Sequence, residues 1–443
     1  MPELLLLAAS EVITPSSPGP LAGYAARKGL SEGTHDDLEA NLVVLSQGSA
    51  ATAWLAIDIV AVTEELSNLL ADVVRFELEM PLLVVQVCAS HTHSGPIGWT
   101  GSFYPGHHGD IDAHLRGELV ESVRSLARRA GRKQPTPVYA EWSSSDLAGV
   151  AANRVVTGRN LAPSLGVLAL RARDDDSLRA VVFDFANHPT TLDATNRLWS
   201  GDWPAAARAV ASAGYLAART FGHGQKRADS PTLVFLQGAA GDISTRFVRR
   251  SSGFVETARI GAVVGLRMLE LLEQGGRRLS SELKVLESNL VLPTRTFPSP
   301  IESEEIICDA QRIAEKSGDA SPTERLAITR VQGAEVLRAL SLAPPKSSVS
   351  IALTAVSFGD LIWLHSPLEL FSSLATKLVA NSAPRNIRFV GYCNGYAGYL
   401  PDAEAYETES YEALSSMFGA PSGELYIDGI LTLISDLSVT TEE

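Results

Sequence analysis

An α/β fold, with mixed β-sheets flanked by helices, is what this sequence predicts, and two observations predict it. Over the first two-thirds of the chain, short aliphatic and β-branched runs alternate with longer runs rich in Ala, Leu and Arg. That is an alternation of strands and helices. Four of the apolar runs also lead straight into compact polar loops, and in such sheets ligands bind beyond the carboxyl ends of strands. The layout therefore places a site at strand-end loops.

The elements follow in order. Leu4 to Leu7, after Met1-Pro2-Glu3, reads as a first strand. Further strands are expected at Asn41–Leu45, Ala53–Val60, Leu82–Cys88, Pro137–Trp142, Leu165–Arg171, Ala180–Phe185 and Leu233–Leu236. Helices are expected at Glu64–Leu78, Asp112–Ala130, Trp203–Ala218 and Phe254–Gln274. Residues 280–300 read as strand, closed by Pro293, Pro298 and Pro300. A charged, helix-forming stretch over 301–342, broken at Gly318 to Pro322, predicts a helical hairpin. Strands return at Val349–Val356, Leu361–Leu364 and Ile387–Tyr392. Without a flexible linker, the expectation is one domain over residues 1–443 with the hairpin inserted into it.

Composition narrows the partners. The 443 residues are 45% hydrophobic and 20% charged, with a net charge of −14. An acidic chain argues against non-specific affinity for nucleic acid or anionic membrane, since both favour Lys/Arg patches. Cys88, Cys308 and Cys393 are widely spaced and odd in number, which offers neither a disulfide framework nor a CxxC metal knuckle. The N-terminus lacks the basic region and apolar length of a signal peptide, and no run reaches the length of a membrane-spanning helix. A cytoplasmic protein with no stable membrane anchor and a small-molecule substrate is expected; the oligomeric state is left open.

The four polar loops carry the chemistry. They are Ala89-Ser90-His91-Thr92-His93-Ser94-Gly95-Pro96, Ala186-Asn187-His188-Pro189-Thr190, Gln237-Gly238-Ala239-Ala240-Gly241-Asp242-Ile243-Ser244 and Cys393-Asn394-Gly395-Tyr396-Ala397-Gly398-Tyr399. In extended backbone, His-x-His puts two imidazoles on one side. That suits a metal ion plus a substrate or supporting contact; the other reading is that the pair caps a turn or sits in solvent. Zinc takes imidazole and carboxylate ligands and keeps one position open when catalytic. Gly-Asp-x-Ser is a weaker sign, because Asp and Ser are ordinary turn formers.

Taken together, the motifs resemble the neutral, non-lysosomal ceramidases. The sequence from Ala89 to Pro96 looks like their signature, and the motifs after it fall in the same order. These are Asn153-Arg154, His188-Pro189-Thr190, Asn196, Ser200-Gly201-Asp202, Gly241-Asp242-Ile243-Ser244, Pro367-Leu368-Glu369, the Asn394–Tyr399 loop, Glu404, Tyr406 and Tyr411-Glu412-Ala413. The resemblance implies a zinc centre held by His91, His188, Glu369 and Tyr399. It implies a site lined by His93, Arg154, Asp242 and Ser244 around the scissile amide. Zinc would then acidify a water and polarise an amide carbonyl, with Tyr399 beside the oxyanion and His93 or a nearby carboxylate moving the proton. Ser244 is either a nucleophile or a substrate-binding hydroxyl, and the metal favours binding.

The expected activity is therefore hydrolysis of a linear N-acyl amide. Other acyl chemistry on the same scaffold, in the form of ester or lactone hydrolysis or biosynthetic amide formation, is the alternative, followed by a non-catalytic binding protein. Two departures from the family pattern bear on substrate. Thr245-Arg246 stands where the family has Pro-Asn, so Arg246 either meets an anionic or strongly polar substrate group or faces solvent or an acidic neighbour. The chain also ends soon after the last motif, without the C-terminal immunoglobulin-like domain of secreted ceramidases, which makes extracellular ceramide an unexpected substrate. The loop Ile97–Asp110, with Trp99, Phe103, Tyr104, His107 and His108, reads as a lid, its two histidines more naturally loop residues than ligands.

Overall fold

The computed structural model describes residues 2–439 except 106, 108, 221–229, 280–281, 317–321 and 384. A nine-stranded sheet runs in the order Thr232–Gln237, Leu178–Phe185, Ser164–Ala172, Thr136–Asp146, Leu4–Val12, Glu39–Gln47, Ala50–Ile57, Val84–Ala89, with Arg277–Arg278 added beside Thr136–Asp146. Its two edge pairs, Leu178–Phe185 with Thr232–Gln237 and Ala50–Ile57 with Val84–Ala89, are parallel; the interior pairs are antiparallel. A four-stranded sheet follows in the order Leu283–Pro293, Ser348–Phe358, Leu361–His365, Asn386–Val390, again with one parallel pair at its end.

The large sheet curls, so that Thr232–Gln237 crosses close to Glu39–Gln47 and Ala50–Ile57 although it lies at the opposite edge. Inside the curl, Val43, Trp54, Trp142, Val182 and Val234 share one buried core with Val356, Phe358 and Trp363 of the small sheet. The Trp363 ring meets Trp142 at 5.4 Å and Trp54 at 5.9 Å between centroids, both edge-on. Such aromatic pairs add about 0.5–1.5 kcal/mol each beyond their area. Outside the curl lie two helix pairs. Glu64–Glu77 and Ala113–Gly131 bury Leu66, Leu70, Leu119 and Val123; Asp202–Thr220 and Phe254–Gln274 bury Trp203, Ala207, Ile260 and Val264. Ser372–Asn381 and Ser422–Val439 cover the outer face of the small sheet through Leu374, Leu378, Tyr426 and Ile430.

Local chemistry sets the boundaries. Thr63 caps the helix Glu64–Glu77 by accepting from Leu66 N–H, with Glu64 and Glu65 in the first turn, where the helix dipole favours acids. Asp112 caps the next helix through the N–H groups of His114 and Leu115. The strand expected over Ala53–Val60 stops at Ile57, because Asp58 turns inward to a buried ion pair with Arg208 (Oδ2 to Nη2, 2.5 Å). The strand expected from Leu82 begins at Val84, Leu82 being almost fully exposed. Helices Pro300–Lys316 and Pro322–Leu342 pack together through Ile307, Ala310, Ala334 and Leu337 and onto Leu414; most of the expected break between them lies outside the described residues. Cys88 and Cys393, distant in sequence, meet in the core with Sγ atoms 2.8 Å apart, both as free thiols. Among the described residues no helix is long and apolar enough to cross a membrane.

Candidate metal centre

Backbone hydrogen bonds knit the four strand ends together. Ala89 N–H donates to Tyr392 O (3.1 Å), Gly391 N–H to Gln237 O (2.9 Å) and Gly238 N–H to Phe185 O (3.2 Å). The polar loops beyond these strands are thereby forced into one space. Three non-glycine residues there adopt positive φ, His91 at 68° and Tyr392 and Asn394 at 58°. Outside glycine this region is uncommon and often marks a functional turn.

His91 and His188 are each fixed from behind. His91 Nδ1 donates to Val60 O at 2.5 Å and His188 Nδ1 to Ala240 O at 2.6 Å. A carbonyl can only accept, so both protons sit on Nδ1 and both Nε2 atoms present lone pairs. Those lone pairs face each other, with the two Nε2 atoms 3.1 Å apart. His93 Nε2 lies 3.3 Å from His91 Nε2, and ligand atoms of the three histidines all fall within 4.8 Å of one another. Glu369 Oε2 completes the cluster, 3.2 Å from His188 Nε2 and 3.8 Å from His91 Nε2. Its strand, Glu369–Leu370, pairs with Tyr399–Leu400, which brings the carboxylate and the tyrosine loop together.

Electrostatics agree with a ligand set. Burial pushes His91 down to about 3 and lowers His93 and His188 as well, so the imidazoles stay neutral, the form that binds metal. Burial opposes ionisation of Glu369, while the positive charge of Arg154 nearby favours the carboxylate. Tyr392 O–H donates to Glu369 Oε2 at 3.0 Å and Tyr396 O–H to Oε1, the kind of outer-shell support that orients metal ligands.

Arg154 is a second centre. Its Nη2 donates to Gly241 O (2.8 Å) and to the Tyr399 hydroxyl (3.0 Å), while Nε pairs with Glu412 (2.8 Å). Burial first, then Glu369, raises the Tyr399 hydroxyl well above its ordinary value, so it remains an O–H donor. Asp242 stands elsewhere. Its carboxylate accepts from Ser372 N–H, Ser372 Oγ and Asn153 Nδ2, each at 2.7 Å, which anchors the Asn153-Arg154 segment to the helix Ser372–Asn381. Ser244 is buried and its Oγ accepts from Arg246 N–H at 3.2 Å.

The cavity over this cluster is lined by His91, His93, Arg154, Glu369 and Tyr399 among others, but by neither Asp242 nor Ser244. Phe103 and His107 of the Ile97–Asp110 loop also line it, and Tyr104 O–H fastens that loop to Ser415 O at 2.8 Å. His107 lies outside the histidine cluster; His108 lies outside the described residues. Tyr392, the partner of Glu369, and Glu412, the partner of Arg154, went unassigned from sequence, although Glu412 stands in the Tyr411-Glu412-Ala413 motif.

The curled mixed sheets, with a polar cluster at their joined strand ends, make up a fold shared with solved ceramidases. The chain is similar to the solved neutral ceramidase from Pseudomonas aeruginosa, with a TM-score of 0.74 and 18% identity, over 97% of this chain and 74% of that one. It is likewise similar to a ceramidase complexed with C2, with a TM-score of 0.70 and 18% identity over the same shares. No family model and no curated protein matches the sequence.

Proposed function

We propose that this protein is a zinc-dependent amidase acting on a linear N-acyl amide. The observation that carries this reading is the pair of Nε2 atoms of His91 and His188, 3.1 Å apart beside the Glu369 carboxylate, with each Nδ1 turned to a backbone carbonyl. Two lone pairs and an anion repel at that distance in a buried site, and a bound cation turns the repulsion into coordination. Imidazole and carboxylate donors fit zinc. The residues that would hold it are His91, His188 and Glu369, with His93 beside them and Tyr399 as the expected weaker contact. When bound, zinc supplies Lewis acidity toward an amide carbonyl and lowers the pKa of water.

The chain's own residues supply the rest. Tyr399 keeps its proton and is held by Arg154, so its O–H is placed to donate to an oxyanion developing on the carbonyl oxygen. His93 Nδ1 is buried without a partner, which leaves this imidazole a nitrogen with which to pass a proton to the departing amine. Phe103 and Tyr396, edge-on at 5.2 Å, line the cavity and occupy room that water would otherwise take. The reading is tested by offering the protein zinc and following release of amine from short N-acyl amides. Turnover that a chelator abolishes and zinc restores is expected; turnover indifferent to chelation contradicts it.

A further inference from the structure

The charges that line the cavity cancel in number but are not matched pair by pair. Among the described residues, three arginines (Arg154, Arg246, Arg249) and three carboxylates (Asp193, Glu369, Glu412) line it. Glu412 is taken by Arg154, Asp193 Oδ1 accepts from Thr195 N–H and Oγ1 at 2.9 and 2.6 Å, and Glu369 faces the histidines. Arg249 is held by the carbonyls of Thr190 and Thr191. Arg246 is different: its backbone N–H is tied to Ser244 Oγ, and among the described residues its guanidinium has neither an ion pair nor a hydrogen bond. A half-buried guanidinium on a cavity wall without a partner is poised for an anion from outside. With a divalent ion at the histidine cluster, the lining charges no longer cancel and the cavity is net positive.

The lining also disfavours a long hydrocarbon. Among the described residues, Val60 is its one aliphatic side chain; the remainder are aromatic or polar, save Gly23. Sites for extended alkyl chains are predominantly apolar.

We infer that Arg246 is the specificity residue of this site and binds a carboxylate or phosphate carried by the substrate amide. This rests on the amidase reading for its reaction, but binding tests it separately. Calorimetry on the zinc-loaded protein would use three non-hydrolysable sulfonamides: N-(propylsulfonyl)glycine, its neutral methyl ester, and the phosphate ester of N-(propylsulfonyl)ethanolamine. At least one anion should bind about ten- to a hundredfold more tightly than the neutral ester, the range for a hydrogen bond to a charged group. Which anion binds better distinguishes carboxylate from phosphate. In Arg246→Gln the ratio should collapse toward one; in Arg246→Lys, which keeps the charge but not the fork, it should be intermediate. Should Arg246→Gln not fold, Arg246→Lys decides by the same ratio. Equal binding of all three probes, no binding of either anion, or a preference that survives in Arg246→Gln because the anion sits on the metal would overturn the inference. A protein that shows the preference but hydrolyses no amide would sink the amidase reading alone.

Discussion

Arg154 joins the two halves of the site: its Nη2 holds the Tyr399 hydroxyl at 3.0 Å while its Nε is clamped by Glu412 at 2.8 Å. The tyrosine is thus aimed by a buried cation rather than by packing alone. Tyr399→Phe removes the donor and leaves the ring, so kcat should fall by about 10²–10³ with metal content retained. Steady-state kinetics beside elemental analysis checks this. A variant as active as the wild type would show that Tyr399 does not touch the oxyanion.

Glu412 carries a stability prediction. Glu412→Gln leaves the buried Arg154 charge without its anion, and breaking a buried pair costs about 3–5 kcal/mol. Denaturant unfolding should register a loss of that order, and a change below about 1 kcal/mol would place Arg154 in a wetter environment than described.

Ser244 should prove dispensable to the chemical step. Its Oγ receives Arg246 N–H and does not line the cavity, so Ser244→Ala is expected to slow turnover by less than about tenfold. Rapid-quench mass spectrometry should find no acyl adduct. An acylated Ser244 would replace attack by water with a covalent mechanism.

Acid should loosen the interface between the sheets through His365. Its Nδ1 donates to Thr354 O at 3.0 Å and its Nε2 accepts from Trp54 Nε1 at 2.8 Å, so only the neutral ring fits. Burial pushes it down to about 4 from the ordinary 6.5. The unfolded chain therefore binds the proton first. Stability present above pH 6.5 is lost as pH falls toward 4, by roughly 3 kcal/mol in total at 1.36 kcal/mol per pH unit. His365→Gln should show a correspondingly shallower decline across that window. Parallel profiles for the two proteins would contradict the assignment.

Much of this was legible in the sequence, and the remainder has a physical reason for being hidden. Strand ends were readable because Leu82–Cys88, Ala180–Phe185, Leu233–Leu236 and Ile387–Tyr392 are apolar runs that break abruptly into polar residues. Convergence of these ends was expected from the layout of strands and loops alone; the structure achieves it by curling the large sheet until its edges meet, a consequence of long-range packing around Trp54 and Trp363. Pairings between distant residues carry no local signal: Asp58 with Arg208, Cys88 with Cys393, and Glu412 with Arg154 lie 150, 305 and about 260 positions apart. Asp242 was placed in the lining of the site by the resemblance; its side chain instead anchors the turn on which Arg154 stands.

The central claim is that the facing nitrogens of His91 and His188 exist to hold a metal. Elemental analysis of protein purified without chelator and offered zinc tests it most directly, alongside His91→Ala and His188→Ala. About one zinc per chain in the wild type, largely lost in both variants while circular dichroism shows the fold intact, is the predicted result. A wild-type protein that retains no metal, or variants that hold as much as it does, would contradict the claim.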